Sequence, residues 1–430
     1  MEFPIKMDPK VLKILKIVGI VLLSFIVIVA GVGVGLYLHD KWRTETQQEA
    51  LAAFYTPPDP ISGDPGTVIR SELAPQWDVP GGTASRILYV TQGTNGEPRV
   101  TGGMVWIPTT PSDNTERKVV AWAHGTTGLG DACSPSRSYS AGMVLMTAWM
   151  AQMMANDWVV TGTDYQGLGT PPPYTYLLGH NEANDVVNSV RAIRNIPEAP
   201  AGTEWAVYGH SQGGHAAAWT GDLAQTIAPE LTLKAVATAA PAAELAVIMD
   251  QQWDKTVSWA NGPEMVVSWP GVYPVDVAAV VSTEGQRVTQ SLAEDCILNA
   301  GMLGKVHQKL GQRYLTMNLG DNAAWAQATA AETPAPFPAS LPIFIAVGVE
   351  DNVVLAPTIA YMQQKWCAAG SDVTMDWLGN TKHMTVAEVA GPAAVDWIQD
   401  RFEGKPTQPN CNQQPPVAPY DPAVDTGETP

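Results

Sequence analysis

The chain has 430 residues, of which 45% are hydrophobic, and a formal net charge of -18. Its length allows two or three domains, or one large α/β domain with insertions, and its apolar content is enough for a substantial core. Because nucleic acids select basic faces, the excess of carboxylates argues against a nucleic-acid partner and is consistent with a soluble, self-repelling surface.

The N-terminal region contains an uncharged apolar stretch from Ile17 to Leu38. As a helix, such a stretch is long enough to cross a bilayer. Lysines are in excess before it, which predicts that the N-terminus stays inside and the rest of the chain lies outside. A cleaved signal peptide has a shorter apolar core and a small-x-small cut site. We therefore interpret residues 1–43 as an uncleaved membrane anchor, with a cleaved signal and secretion as the alternative.

The four cysteines are few but even in number. In an exported chain this number favours two disulfides, and spacing leaves three connectivities open. No Cys-x-x-Cys is present, so the sequence gives no indication of a zinc or redox site. The cysteines are Cys133, Cys296, Cys367 and Cys411.

Residues 44–240 alternate between strand-like and helix-like segments after a polar linker and a Pro-rich loop. Such alternation predicts a mostly parallel sheet covered by helices, the first part of an α/β core. Strands are predicted at 85–90, 101–107, 118–123, 158–163, 203–208 and 234–240, and helices at 141–155, 182–196 and 215–227.

Ser211 lies in a Gly-His-Ser-Gln-Gly segment between a predicted strand and a predicted helix. At such a junction this pattern is the nucleophile elbow of α/β-hydrolases. Gly209 and Gly213 leave room for the sharp reversal because they lack side chains. The backbone N–H of Gln212, at the positive end of the helix, is predicted to stabilise an oxyanion.

The loop after strand 118–123 reads His-Gly-Thr-Thr-Gly. A His-Gly motif at this place supplies the second oxyanion donor in α/β-hydrolases. We expect this donor to be the backbone N–H of Thr126 or of Thr127.

After Pro241 the alternation is lost, and residues 241–339 are predicted to be a cap inserted over the sheet edge. Its Trp and Met residues fit either the cap's own core or a lipid-facing surface. Residues 340–403 resume the α/β pattern, with strands at 343–347 and 373–378 and helices at 357–369 and 386–402. The Pro-rich tail, 404–430, is predicted to be mostly disordered beyond Cys411.

A nucleophilic serine needs a histidine base, and the histidine needs a carboxylate that fixes its tautomer. The chain order in α/β-hydrolases is Ser, acid, His. Asp351, just past the strand at 343–347, is the preferred acid, and Glu350 is the alternative. His383, after the strand at 373–378, is the preferred base.

Two other histidines follow the serine and are less suitable as the base. His215 lies one turn into the elbow helix, too close in sequence to approach from across the site, and His307 falls in the cap. His210, beside the serine, is expected to pack or to form a hydrogen bond within the elbow.

With these residues in hand, the chain resembles the secretory lipase family, which comprises fungal lipase A-type enzymes and bacterial relatives. The resemblance covers about residues 54–402. Its motifs are Phe54-Tyr55-x-Pro57-Pro58, Pro65-Gly66-Thr67-Val68-Ile69-Arg70, His124-Gly125-Thr126-Thr127-Gly128, Cys133-Ser134-Pro135-Ser136, Thr163-Asp164-Tyr165-Gln166-Gly167-Leu168-Gly169, the elbow, and Ala239-Ala240-Pro241-Ala242-Ala243.

The resemblance implies a Ser211-Asp351-His383 triad and a helical lid after Pro241. It also implies the disulfides Cys133–Cys296 and Cys367–Cys411, and hydrolysis of carboxylic esters, often acylglycerols, without cofactor or metal. The long N-terminal apolar stretch departs from the cleavable signal common among relatives.

The sequence therefore predicts an α/β-hydrolase fold and an exported serine hydrolase that acts on ester or lipid substrates. An acyltransferase that uses the same triad on a cell-envelope alcohol is the first alternative. A non-catalytic, surface-anchored binding protein is the second.

Overall fold

The computed structural model describes residues 8–137 and 147–422. The chain divides into two compact units, residues 1–53 and 54–430. Helix α1 (Pro9–Tyr55) accounts for nearly all of the described part of the first unit. The second unit contains the sheet and the remaining helices.

The predicted membrane-spanning helix, and with it the predicted membrane partner, is not supported. Helix α1 contains the apolar stretch and continues through the polar residues that follow it. Within residues 8–137 and 147–422, no helix combines the length and the apolar character needed to cross a membrane.

The second unit is built on one nine-stranded sheet. Along the sheet the strand order is β1-β2-β3-β5-β4-β6-β7-β8-β9. The pairs from β1 to β3 and from β3 to β5 are antiparallel, and all pairs from β5 to β9 are parallel. The strands are β1 (Val68–Leu73), β2 (Gly82–Gln92), β3 (Pro98–Pro108), β4 (Arg117–Ala123), β5 (Val159–Thr163), β6 (Ala201–His210), β7 (Thr232–Ala239), β8 (Ile343–Gly348) and β9 (Val373–Leu378).

The prediction of a mostly parallel, helix-covered sheet is confirmed. The helices that alternate with the strands are α2 (Thr147–Ala155), α3 (Gly179–Ile193), α4 (Gln212–Ile227), α11 (Ala356–Ala368) and α12 (His383–Phe402). The predicted helix at 141–155 falls partly on residues 138–146, which lie outside the described residues. The edge strand β1 was not predicted, because its residues run from half-buried to exposed without an alternating pattern.

Both faces of the sheet are covered by helices and buried. Successive side chains of a strand point to opposite faces, so neighbouring residues of β6 enter different clusters. In β6, Trp205 and Val207 belong to one apolar cluster, together with residues of α3, α4 and the inserted helices. Ala206 and Tyr208 belong to the other, together with α2 and α12. Burial on both faces fixes the register of β6, and with it the position of the turn that follows.

Six helices lie in the chain between β7 and β8, in the region predicted to be a cap. Indole side chains of this region form an internal core, in which the buried Trp269, just after α7, and Trp325, in α10, stack with ring centroids 5.9 Å apart. The helices are α5 (Leu245–Gln252), α6 (Thr256–Ala260), α7 (Gly262–Ser268), α8 (Thr283–Glu294), α9 (Ile297–Lys309) and α10 (Ala323–Ala331).

Both disulfides implied by the resemblance are present, Cys133–Cys296 and Cys367–Cys411. The first joins the segment after β4 to the start of α9. The second joins α11 to the C-terminal tail. Together they use all four cysteines.

The prediction of disorder beyond Cys411 is wrong for the described part of the tail, which ends at residue 422. The backbone N–H of Tyr420 donates to the carbonyl of Pro357 at 3.0 Å. Just before the disulfide, the Asn410 side chain bonds both backbone groups of Met375 in β9. The disulfide and these bonds order a segment whose composition alone indicated none.

Candidate active site

Ser211 forms the turn between β6 and α4. Its backbone has φ +57° and ψ -117°, a region that non-glycine residues rarely adopt. Two hydrogen bonds to the segment of β7 and its loop hold it there: Ser211 N–H donates to Ala239 O, and Ala242 N–H donates to Ser211 O, both at 3.0 Å. The serine hydroxyl therefore stands at the carboxyl end of the parallel strands, where open α/β sheets bind their ligands.

The glycines of the elbow are required by close backbone approach. A Cβ on Gly209 would lie 1.9 Å from the carbonyl oxygen of Gly213, and a Cβ on Gly213 would lie 1.8 Å from that of Ala123. The sequence prediction that these glycines leave room for the turn agrees with this geometry.

We expect Gly213→Ala to destabilise the protein by about 3 kcal/mol or more, because the added methyl group meets fixed backbone and not a movable side chain. Gly271→Ala is the matched control, since a Cβ there has no atom within 4 Å. Thermal unfolding of both variants measures the difference. Equal midpoints for the two variants would contradict the steric argument.

His383, the first residue of α12, connects the serine to the acid turn. Its Nε2 lies 2.9 Å from Ser211 Oγ, and its Nδ1 lies 2.8 Å from Asp351 Oδ2. All three side chains are buried. The structure thus brings together the three residues that the sequence predicted, in hydrogen-bond reach of one another.

The loop after β8 presents Asp351, and not Glu350, to the histidine. Asp351 Oδ1 accepts the backbone N–H groups of Val353 and Val354 at 2.8 and 3.0 Å, which fixes the carboxylate. Glu350 is exposed to solvent. Its backbone N–H donates to Thr381 O at 3.1 Å and so ties the acid loop to the loop that carries His383.

His210, the residue before Ser211, contacts His383. Its Nε2 lies 2.9 Å from the backbone oxygen of His383, and the two rings are 4.8 Å apart. Burial, together with the nearby His383, lowers the pKa of His210 to about 3. The ring is therefore neutral, so its Nε2–H donates to the carbonyl and fixes the first turn of α12.

Of the two candidates for the second oxyanion donor, Thr126 lines the cavity beside Ser211, together with Gly125. Its hydroxyl lies 3.0 Å from Tyr176 Oη, which in turn accepts a bond from Asn261 Nδ2 at 2.9 Å. Thr127 is buried, and its carbonyl is bonded to the N–H of Ile297. Its position on the cavity wall favours Thr126.

The N–H of Gln212 is the first of helix α4, so it has no acceptor within the helix. The Gln212 side chain is fixed by Glu182, whose Oε1 accepts its Nε2–H at 2.9 Å. The other oxygen of Glu182 lies 2.6 Å from His215 Nδ1. This fully buried network holds the start of α4 against α3.

Two opposing effects act on the pKa of His215 in this network. Burial lowers the pKa of His215, but the adjacent Glu182 carboxylate outweighs it, and the pKa is raised overall. The ring of His215 thus serves as a partner of Glu182, and the bond from His215 to Ser211 is a backbone one, from His215 N–H to Ser211 O at 3.2 Å. Glu182 was not predicted from the sequence. The available signal was its position four residues before Val186, in phase with the buried stripe of α3.

A cavity of about 380 Å³ opens at the serine. Its volume is within the range of small-molecule sites. One wall comes from the elbow and the acid and histidine loops, and the other comes from α6 and α9. Most of the wall is apolar: it includes Trp122, Val257, Ala260, Ile297, Leu298, Met302, Val353 and Met384. Within the described ranges, no group of three or more His, Cys, Asp or Glu residues is arranged to hold a metal ion.

Residues 140–410 match the model of the family described as secretory lipase. The chain belongs to the secretory lipase family. A Mycobacterium tuberculosis protein named as a probable inactive lipase is 26% identical over 82% of this chain and 82% of its own length. Lipase A of Moesziomyces aphidis is 23% identical over 85% and 82%, respectively.

The solved structure of Candida antarctica lipase A has a TM-score of 0.68 to this chain at 20% identity, and covers 85% of this chain and 88% of its own. This similarity establishes the α/β-hydrolase fold. Family membership and the lipases among its relatives place the chain with the carboxylic ester hydrolases.

Proposed function

We propose that this protein is an exported serine esterase that hydrolyses acyl esters with an apolar acyl group. The observation that carries the proposal is the hydrogen-bonded series from Asp351 through His383 to Ser211, which opens into an apolar cavity. The family and the two disulfides support export, because disulfides persist in oxidising compartments.

In the proposed mechanism, His383 Nδ1–H donates to Asp351, which leaves Nε2 as the acceptor of the serine proton. Ser211 Oγ attacks the ester carbonyl, and the backbone N–H groups of Gln212 and Thr126 stabilise the oxyanion. His383 then protonates the leaving alcohol. Water, deprotonated by the same histidine, attacks the acyl-enzyme, and the acid is released as the bond to Ser211 Oγ breaks and His383 returns the proton to this oxygen.

Glu182 and His210 act in this scheme as positioning residues. Glu182 fixes the side chain of the residue that donates to the oxyanion, and His210 fixes the backbone of His383. Since one oxyanion donor contributes about 3 kcal/mol to the stability of the transition state, small displacements at Gln212 have large effects on rate.

The proposal is tested by hydrolysis of p-nitrophenyl butyrate and palmitate by the purified full-length protein. We expect turnover of both esters, because the cavity is apolar and opens to the surface. An added alcohol acceptor reports acyl transfer, since a transferase would yield mainly the new ester.

A relative named as a probable inactive lipase makes loss of activity a specific alternative. A fluorophosphonate probe separates the two cases, because it reacts with an activated serine without needing a matched substrate. Labelling at Ser211 together with ester turnover supports the proposal. Absence of both would overturn it in favour of a non-catalytic binding protein.

A further inference from the structure

The outer side of α9 and its C-cap is apolar and exposed beside the mouth of the cavity. The exposed fractions of Leu298, Met302, Val306 and Leu310 are 61%, 63%, 53% and 68%. These residues follow one another at four-residue intervals, and such spacing places side chains on the same side of a helix. With Leu303, which is 41% exposed, they form what we call the α9 face.

The opposite side of α9 is already packed against the cap. Ala300 and Gly304 are buried there, and the ring of His307 stacks on Trp259 with centroids 4.2 Å apart. The helix is therefore apolar on both sides, although it lies on the surface. A contiguous exposed apolar patch of this kind marks a site of interaction.

Other exposed apolar side chains gather at the same place. Met384 and Val389, on the first turns of α12, are 47% and 52% exposed, and Met384 lines the cavity together with Leu298 and Met302. Elsewhere in the described part of residues 54–422, among the large apolar residues, Leu73 and Val272 alone exceed 40%.

The charge of this region is opposite to that of the whole chain. The segment 297–313 contains no carboxylate, whereas the chain has a net charge of -18. The exposed start of α12 adds Lys382 and one carboxylate, Glu388. The cations of the segment, all exposed, are Lys305, Lys309 and Arg313.

We propose that the α9 face docks on the surface of an anionic lipid aggregate. Val306 and Leu310 enter the acyl layer, and Lys309 remains at the level of the headgroups, as lysine side chains do at such boundaries. An acyl chain then passes from the lipid layer to the cavity between Leu298 and Met302 without crossing water. The choice of lipid as partner rests on the proposed esterase function.

The α9 face is attached directly to the loop that contains the proposed second oxyanion donor. The first N–H of α9, that of Ile297, donates to Thr127 O at 3.0 Å, and Leu129 N–H donates to Ala293 O at 2.7 Å. The disulfide Cys133–Cys296 fastens the same junction. The face and the loop are thus held in one arrangement, so that a docked surface lies at a fixed position relative to the serine.

A fluorophore at position 306 tests the proposal in the full-length protein. All four native cysteines are in disulfides, so Val306→Cys provides a unique thiol for an environment-sensitive label. The matched control is Leu73→Cys, at an exposed apolar position on β1. Vesicles of non-hydrolysable ether lipids, either purely zwitterionic or containing an anionic lipid, make the readout independent of turnover.

We expect a blue shift of the label at position 306 with anionic vesicles, a smaller shift with zwitterionic vesicles, and no shift at position 73. In the labelled protein, Lys309→Glu should weaken binding to anionic vesicles by about tenfold. Arg287→Glu makes the same charge change on an exposed residue of α8 and should have a smaller effect.

Three results would overturn the proposal. These are no response at position 306, an equal response to both kinds of vesicle, and a response to protein concentration without vesicles, which would assign the face to a second copy of the chain. Turnover of p-nitrophenyl butyrate by Val306→Ser is measured separately. Normal turnover with no vesicle response would leave the esterase proposal intact and reject the docking surface.

Discussion

Replacing Ser211 with alanine is expected to reduce ester hydrolysis by roughly 10⁵-fold or more, because no other group can form the acyl-enzyme and the remaining residues of a triad act as a unit. The fold should be retained. Alanine fits the backbone conformation of Ser211 no worse than serine does, and the two backbone hydrogen bonds that hold the turn are independent of the side chain.

The measurement is kcat/KM for p-nitrophenyl butyrate, with thermal unfolding as a check of the fold. Ser62→Ala, at an exposed position in the loop between α1 and β1, is the matched control and should behave as the unsubstituted protein. Residual activity of Ser211→Ala above about one per cent would mean that hydrolysis does not proceed through this serine.

Replacing Asp351 with asparagine should reduce kcat about 10⁴-fold at neutral pH, through the tautomer of His383. The asparagine oxygen can still accept the backbone N–H groups of Val353 and Val354. Its amide then faces His383 Nδ1 as a donor. Nδ1 must therefore become the acceptor, and the proton moves to Nε2, which can no longer accept a proton from Ser211.

Glu350→Gln is the matched control for Asp351→Asn, because it makes the same kind of change, carboxylate to amide, at the preceding residue of the same loop. Because Glu350 is exposed and makes no side-chain contact with the histidine, we expect kcat within about twofold of the unsubstituted enzyme, as for most surface changes. Comparable losses in the two variants would show that the loop, and not the carboxylate of Asp351, is what matters.

The local part of the site was predictable from the sequence. A Gly-x-Ser-x-Gly segment between a strand and a helix restricts the backbone to one kind of turn, since Gly209 and Gly213 meet backbone atoms directly. Asp351 and His383 follow apolar strands, and the ends of parallel strands meet at one edge of the sheet. For Ser211 and His383, residue type and position along the chain were enough for the prediction, whereas for the acid they left Glu350 as an alternative to Asp351.

Two predictions made from composition, a disordered tail and a membrane-spanning helix, did not agree with the structure. The Pro-rich segment after Cys411 is ordered as far as residue 422, because a disulfide and the backbone bond from Tyr420 attach it to α11. The apolar N-terminal stretch was predicted to span a membrane, but among the described residues no helix is both long enough and apolar enough to do so.

The sequence by itself determined the strand-helix alternation, the positions of Ser211 and His383, and the acid turn that contains Glu350 and Asp351, because each depends on short segments with strong local constraints. Only the tertiary structure decided the choice of Asp351 over Glu350 as the histidine's partner, the burial of Glu182 beneath the elbow and the exposure of the α9 face. These depend on which side of an element meets a neighbour from a distant part of the chain. Local spacing gives the period of a helix or strand, but not what lies against each side.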